Sequence, residues 1–208
     1  MITLLLDTAL ETLVIALVKD NQVIYEFKQT YDKNMSKYLV NEINNAFLQT
    51  KLKPSDISNV VVGIGPGSFT GVRMGVTVAK TLAFALNKPI YPVSTLYLMA
   101  TTLDNQIVMP LIDARRGYIY GAIFDENDNT ILPEQYIKLE DILSLSKKYH
   151  DVKIISNLNS VNGIIPKYNV VAGINKALLG GAVNVHNINP NYLKITQAES
   201  ELIQRNDS

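Results

Sequence analysis

The sequence contains no cysteine and no tryptophan, and only two of its 208 residues are histidine. The absence of cysteine excludes disulfide bonds, thiolate nucleophiles and cysteine-bound zinc. His150 and His186 are far apart in the sequence and do not have the spacing of a metal-ligand pair. We therefore expect no metal site, no bound cofactor and no metallopeptidase.

Charged residues are also scarce. They make up 18% of the chain, below the usual level of about 25%, and 19 basic residues balance 19 acidic ones. Neutralising phosphates requires clustered Lys and Arg, so a protein that grips nucleic acid alone through a broad basic surface is not expected. Contact with RNA inside a complex stays open, and the low net charge favours association with other proteins.

Long apolar runs are missing as well. No stretch approaches the 18 or more apolar residues that suggest a membrane span. The first seven residues lack the basic region and cleavage site of a signal peptide, and they read as a strand. The sequence thus predicts a cytoplasmic protein that has no membrane contact and forms one domain, or two lobes of about 100 residues each.

The first half predicts the element order βββαβα, followed by a further short strand and helix. Apolar and β-branched runs indicate the strands, and helical spacing of apolar residues indicates the helices. The predicted strands are 2–6, 12–18, 23–28, 60–64 and 89–93, and the predicted helices are 36–51, 71–87 and 94–103.

The second half is a weaker copy of that order. It predicts strands at 107–113, 118–125, 130–137, 153–156 and 170–172, helices at 139–149 and 175–185, and a polar tail at 196–208. The sequence predicts an α/β fold built from two lobes, 1–103 and 104–208, that pack directly on each other.

A glycine-rich turn separates the strand at 60–64 from the next helix, and residues 63–75 hold five of the eleven glycines. Such turns can present backbone N–H groups to an anion. This one lacks the Gly-Lys-Ser/Thr ending and the downstream acidic residue of the common nucleotide loops. Either its glycines serve only tight packing, or the loop contacts a ligand. The candidate contact residues are Gly65, Gly67, Ser68, Thr70 and Arg73.

The helix after this turn has a ridge of small residues, with glycine or alanine at every fourth position from 71 to 83. Small residues let a second backbone approach closely, by analogy with membrane helices. Either the ridge packs on the chain's own sheet, or it meets a helix of another subunit, and we favour the second reading. The predicted interface residues on the two helices are Leu39, Ile43, Phe47, Gly71, Met74, Gly75, Val78, Ala79 and Ala83.

Two polar groups follow predicted strands, where ligands bind in α/β folds. Asp7 either caps its strand through an Asx turn or holds a metal-bound water. Arg115, in the run 113–117, either forms local salt bridges or binds a phosphate or carboxylate.

Four segments together resemble the TsaB family, also called YeaZ. The run 65–75, read Gly-Pro-Gly-Ser-Phe-Thr-Gly-Val-Arg-Met-Gly, looks like its signature. The others are Asp7-Thr8, the run 113–117 with Tyr120, and residues 190–194 leading to Ala198-Glu199. Their order and spacing cover essentially the whole chain.

The resemblance implies a two-lobed actin-like, Hsp70-like ATPase fold of the ribonuclease H-like kind. It implies a role in making threonylcarbamoyladenosine beside the anticodon of tRNAs that read codons beginning with A. It also implies a non-catalytic protein that pairs with its paralogue TsaD, which carries the metal and active site, and with the ATPase TsaE. The pairing would use the helices at about 36–51 and 71–86, and we expect the isolated chain to form a homodimer through them.

The sequence departs from the TsaD pattern at the first helix. TsaD-like proteins carry a His-x-x-x-His pair there, whereas residues 34–39 contain no histidine and Met35 stands where many TsaB sequences keep one. This removes the case for a metal. The alternative, an ATP-dependent acyl- or phosphotransferase that acts through Asp7, the glycine loop and Arg115, stays open.

Overall fold

Two mixed β-sheets form the core of the computed structural model, which describes residues 1–31 and 34–194. The predicted motif at Ala198-Glu199 and the predicted polar tail lie outside these residues. The first half of the chain forms β1 (Ile2–Asp7), β2 (Thr12–Lys19), β3 (Gln22–Thr30), α1 (Ser36–Thr50), β4 (Asn59–Gly63), α2 (Phe69–Ala85), β5 (Ile90–Val93) and α3 (Thr95–Ala100). The second half forms β6 (Val108–Asp113), β7 (Tyr118–Phe124), β8 (Thr130–Lys138), α4 (Leu139–Ser146), β9 (Lys153–Ile155) and α5 (Val170–Gly180).

The first sheet has the strand order β3-β2-β1-β4-β5. Strands β1, β2 and β3 form the antiparallel meander that the sequence predicts, and β4 and β5 run parallel to β1. Asp20 and Asn21 make the β2–β3 turn with positive φ angles, which aspartate and asparagine tolerate. The carboxyl ends of β1, β4 and β5 therefore meet at one edge of the sheet.

Both faces of this sheet are covered. Leu4 and Leu6 of β1 point to α1 and α2, while Leu5 points to the opposite face, because successive side chains of a strand alternate. On that face α3, α5, β6 and β7 join the first sheet in one hydrophobic core. Full burial of each leucine stabilises the fold by about 1.5–3 kcal/mol. The two lobes thus share a core.

The second sheet has the order β8-β7-β6-β9 and repeats the first sheet without a fifth strand. Strands β6, β7 and β8 are antiparallel neighbours, and β9 is parallel to β6. Helix α4 covers this sheet and buries Ile142 among Met109, Leu111 and Ile119. The predicted βββαβ order of the second half is confirmed.

The prediction of a strand at 170–172 is wrong, because these residues form the first turn of α5. The β-branched pair Val170-Val171 favours a strand, but the side chain of Asn169 accepts a hydrogen bond from the N–H of Ala172 at 3.1 Å and caps a helix. The helix ends at Gly180, five residues before its predicted end. Tertiary packing on α3 and β5 overrides the local preference.

Residues late in the sequence return to the first sheet. Beyond α5, Val183 donates its N–H to the carbonyl of Ile90 at 3.0 Å, and Asn191 donates to the carbonyl of Ile64 at 2.7 Å. Between them, the ammonium group of Lys80 on α2 binds the carbonyl of Ile188 at 3.2 Å. In the ranges described, no helix has the length and apolar character needed to cross a membrane.

Candidate functional site

A cleft of about 450 Å³ opens between the two lobes beside the glycine-rich turn. The first lobe contributes the end of that turn, and the second contributes the β6–β7 connection. The residues that line it include Gly67, Ser68, Phe69, Asp113, Ala114, Arg115 and Tyr120. The structure therefore brings together three of the residues predicted to contact a ligand: Gly67, Ser68 and Arg115.

Packing within the chain accounts for much of the glycine-rich turn. A side chain at Gly67 would overlap the carbonyl of Ala9, and the N–H of Ser68 donates to that same carbonyl at 2.7 Å. The hydroxyl of Ser68 accepts a hydrogen bond from the N–H of Gly71 at 3.3 Å and caps α2. This cap starts α2 at Phe69, two residues before its predicted start.

The small-residue ridge of α2 faces the chain's own first strand. A side chain at Gly71 would overlap the carbonyl of Thr8, and one at Gly75 would overlap its hydroxyl. The Thr8 hydroxyl donates to the carbonyl of Gly71 at 2.7 Å, and Ala79 and Ala83 are buried in the same core. The reading in which the ridge meets another subunit is therefore corrected in favour of packing on the chain's own sheet.

The predicted interface residues of α1 have the same orientation, since Leu39, Ile43 and Phe47 are buried against the first sheet. On α2, Met74 and Val78 are half-buried and pack beside that core. All of these side chains support the fold of the first lobe, and those fully buried leave no surface for a partner.

The outward faces of the same helices carry a different set of apolar side chains. Val40 and Leu48 are exposed on α1, the latter by 66%, and Phe84 is exposed near the end of α2. Val40, Asn44 and Leu48 follow each other at intervals of four residues and so form one stripe. We call Val40, Leu48, Thr77, Thr81 and Phe84 the outer helix face. In the sequence, the signal that could have indicated this face was the presence of apolar residues at helix positions outside the buried stripe.

Asp7 lies at the end of β1 but is not among the residues that line the cleft. Its side chain is 1% exposed, and one carboxylate oxygen accepts a hydrogen bond from the N–H of Ala9 at 2.8 Å. This confirms the Asx turn. Among the described residues the other oxygen, Oδ2, has no hydrogen-bond partner. Burial raises the pKa of Asp7 from 3.8 to about 6.

Arg115 lies in a tight connection in which it and Arg116 both have positive φ angles. The carboxylate of Asp113 accepts a hydrogen bond from the N–H of Arg115 at 2.8 Å. No ion pair of either arginine is found within residues 1–31 and 34–194. The local contact is thus a turn hydrogen bond, and the predicted salt bridge is not formed there.

The remaining two predicted ligand contacts on α2, and Gly65, lie outside this arrangement. Thr70 is exposed in the first turn of α2. Arg73 turns to the C-terminal segment and donates from Nε to the hydroxyl of Tyr192 at 2.6 Å. Gly65 has a φ of +88°, which favours glycine. Across the described part of the chain, no group of three or more His, Asp or Glu side chains could hold a metal ion.

Two sheets that share the order of four strands, with helices on their faces and a cleft between the lobes, define a protein of the actin-like ATPase fold. The family model described as "TsaD: tRNA N6-adenosine threonylcarbamoyltransferase" matches residues 25–189. The tRNA threonylcarbamoyladenosine biosynthesis protein TsaB of Bacillus subtilis is 32% identical, with 98% of this chain and 99% of that protein covered. The chain belongs to the TsaB (YeaZ) family of tRNA-modification biosynthesis proteins.

Other relatives agree with this assignment. The TsaB protein of Escherichia coli is 33% identical over 62% of this chain and 57% of its own. The solved structure of YeaZ from Pseudomonas aeruginosa superimposes with a TM-score of 0.75 at 20% identity, covering 92% of this chain and 99% of that one. At that identity the structural match supports the fold.

Proposed function

We propose that this chain is the non-catalytic partner subunit of a tRNA threonylcarbamoyladenosine transferase. In this proposal it binds and activates a TsaD paralogue in the cytoplasm, works with the ATPase TsaE, and meets tRNA only inside the complex. The observation that carries the proposal is the outer helix face, an exposed apolar surface on two helices that cover the same side of the first sheet.

The composition of α2 suits an interface. Within its 17 residues the charged side chains are Arg73 and Lys80, and Lys80 already binds backbone carbonyls of the C-terminal segment. Burial of the α2 part of this face therefore desolvates little charge, as in the cores of protein interfaces. A partner bound to this face would bury three exposed apolar side chains, which is favourable: Val40, Leu48 and Phe84.

Substitutions on the outer helix face test the proposed assembly. Leu48→Asp and Thr77→Arg place charges on exposed positions that do not support the fold, so both proteins should fold while co-purification with the TsaD paralogue is lost. Leu179→Asp is the matched control, because Leu179 is 86% exposed on α5, which packs on the other face of the sheet. Normal assembly by both outer-face variants would refute the interface.

An ATP-dependent transferase acting through Asp7, the glycine loop and Arg115 is the alternative. The burial of Asp7 and its exclusion from the cleft speak against it. Calorimetry of the isolated chain with ATP and Mg²⁺ separates the two functions. Tight ATP binding with turnover would replace the partner-subunit proposal.

A further inference from the structure

An exposed aromatic pair lies at the start of α2. The rings of Phe69 and Tyr192 stack with centroids 5.5 Å apart, although they remain 54% and 47% exposed. The guanidinium carbon of Arg73 lies 3.8 Å from the centroid of the Phe69 ring, and Nε of Arg73 donates to the hydroxyl of Tyr192. Large aromatic surface and a cation are thus held together in contact with solvent.

A second aromatic group lies on the facing lobe. Tyr118 and Tyr136 stack at 4.6 Å, Tyr120 lies 5.8 Å from Tyr136, and the ammonium of Lys194 lies 5.3 Å from the Tyr136 ring. A pocket of about 390 Å³ connects the groups. We call these residues the aromatic–basic surface: Phe69, Arg73, Tyr120, Tyr136, Tyr192 and Lys194.

The charge of this surface is positive. The side chains that line the connecting pocket include Arg73 and Lys194 and no carboxylate. In the parts of the chain that the structure describes, neither cation forms an ion pair. The adjoining cleft shares Gly67, Phe69 and Tyr120 with this pocket, but there Arg115 is accompanied by the carboxylates of Glu11 and Asp113. The positive charge beside the exposed rings is therefore that of Arg73 and Lys194 in the connecting pocket.

We propose that the aromatic–basic surface binds a single-stranded segment of RNA, whose bases stack on the rings while its phosphates meet the cations. Aromatic rings beside a positively charged groove are typical of single-strand binding. A free nucleotide fits this surface less well. The backbone N–H of Ser68 and the N–H that the Ser68 side chain caps in α2 already donate hydrogen bonds within the chain, so they do not bind a phosphate. The choice of tRNA as the source of this RNA rests on the proposed function.

A purely structural role makes a different prediction. The Arg73–Tyr192 hydrogen bond also fastens the segment that precedes residue 194 to α2. If fastening is the whole role, Tyr192→Phe should disturb the protein most, because it keeps the ring and removes the hydroxyl. Under RNA binding, Phe69→Ala and Lys194→Ala should have the larger effects on RNA affinity, while Tyr192→Phe retains it.

Fluorescence anisotropy with a fluorescein-labelled anticodon stem-loop RNA tests the proposal on the full chain in complex with the TsaD paralogue. Phe69→Ala should weaken binding about tenfold by removing a stacking surface. Lys194→Ala should also weaken binding, and the slope of log K against log salt concentration should decrease in magnitude by about one. Lys148→Ala, an exposed lysine on the second lobe outside this surface, should change neither quantity.

Three results would overturn the inference. They are unchanged affinity in both Phe69→Ala and Lys194→Ala, equal binding of a fully duplex RNA, and displacement of the stem-loop by AMP at similar concentrations. Co-purification with TsaD, measured on the same proteins, keeps the two proposals separate. Loss of RNA affinity with intact assembly supports the RNA surface, whereas failure of the Leu48→Asp test concerns only the partner-subunit proposal.

Discussion

At the scale of single residues, the two carboxylate oxygens of Asp7 differ in their hydrogen bonding. Its Oδ1 atom is needed for the turn that closes β1, because it accepts the N–H of Ala9. Its Oδ2 atom is buried and makes no hydrogen bond of normal geometry among the described residues. The nearby hydroxyl of Thr95 lowers the pKa of Asp7, but desolvation of the charged carboxylate outweighs that effect. The native state therefore binds the Asp7 proton more tightly than the unfolded chain does, with a pKa of about 6 against 3.8.

This pKa shift makes the free energy of unfolding depend on pH in a defined direction. Because the pKa of Asp7 is raised on folding, its contribution favours the native state most below about pH 4 and declines as the pH rises through about 6. Asp7→Asn should thus gain about 1–3 kcal/mol in the free energy of unfolding over wild type at pH 7.5. Urea unfolding at several pH values should show this gain vanish near pH 4.

A control with the opposite sign is available at Asp125. Its carboxylate accepts hydrogen bonds from the side-chain amide and the backbone N–H of Asn129 and from the N–H of Asn127, and these lower its pKa. Asp125→Asn should therefore lose stability at neutral pH rather than gain it. A difference between Asp7→Asn and wild type that stays constant from pH 4 to 7.5 would contradict the assigned burial effect.

The sequence predicted the Asx turn at Asp7 but not its shifted pKa. An aspartate after a strand is enough to suggest the turn. The shift depends on what surrounds the carboxylate, and its surroundings include Gly63, 56 residues away in the chain, where an added side chain would overlap the Asp7 carboxylate. Long-range neighbours of this kind leave no local pattern in a sequence.

At the scale of elements, α2 shows what spacing can and cannot predict. Glycine or alanine at every fourth position correctly indicated a narrow face with hydrogen or methyl side chains only. Spacing fixes which residues share a face, but it does not determine whether that face meets the chain's own sheet or another subunit. Contact with Thr8, which directly follows β1, decides the matter.

Gly75→Ala measures the tightness of that contact. Alanine favours a helix over glycine by about 1 kcal/mol, yet its methyl group would overlap the Thr8 hydroxyl. We expect a net loss of about 1–3 kcal/mol in chemical denaturation. Adding Thr8→Ala should recover part of the loss, because it removes the overlapping atom.

Gly180→Ala is the matched comparison on α5, where no atom lies within 4 Å of the added methyl. It should stabilise the protein by about 0.5–1 kcal/mol. If Gly75→Ala also stabilised the protein, the close packing of α2 on β1 would be refuted.

At the scale of the whole molecule, the order of elements was predictable and their final neighbours were not. Apolar runs and helical spacing indicated both βββαβ units, because each element is patterned along its own length. The predicted helix at 175–185 overlaps the second half of α5, but the first turn of α5 was assigned as a strand, since its environment, α3 and β5, lies at least 70 residues earlier in the chain. The packing of α5 on the first lobe depends on contacts between distant segments, which a local sequence pattern does not indicate.

The oligomeric state is the prediction that belongs to this scale. With the outer helix face uncovered, the isolated chain should form a two-fold symmetric dimer through α1 and α2. Light scattering should then give twice the 23.1 kDa of one chain, and Leu48→Asp should give the single mass. A wild-type monomer at high protein concentration would count against the dimer.

The late docking of α5 has a consequence for the growing chain. The five strands of the first sheet are complete at Val93, whereas α5 begins only at Val170. At about 5–20 residues per second, a ribosome needs roughly 4–15 seconds to make the part between them. During that interval the face of β1 that carries Leu5 lacks one of its covering helices. Final closure of the first lobe therefore waits until the residues of α5 have been made, well after the strands they cover.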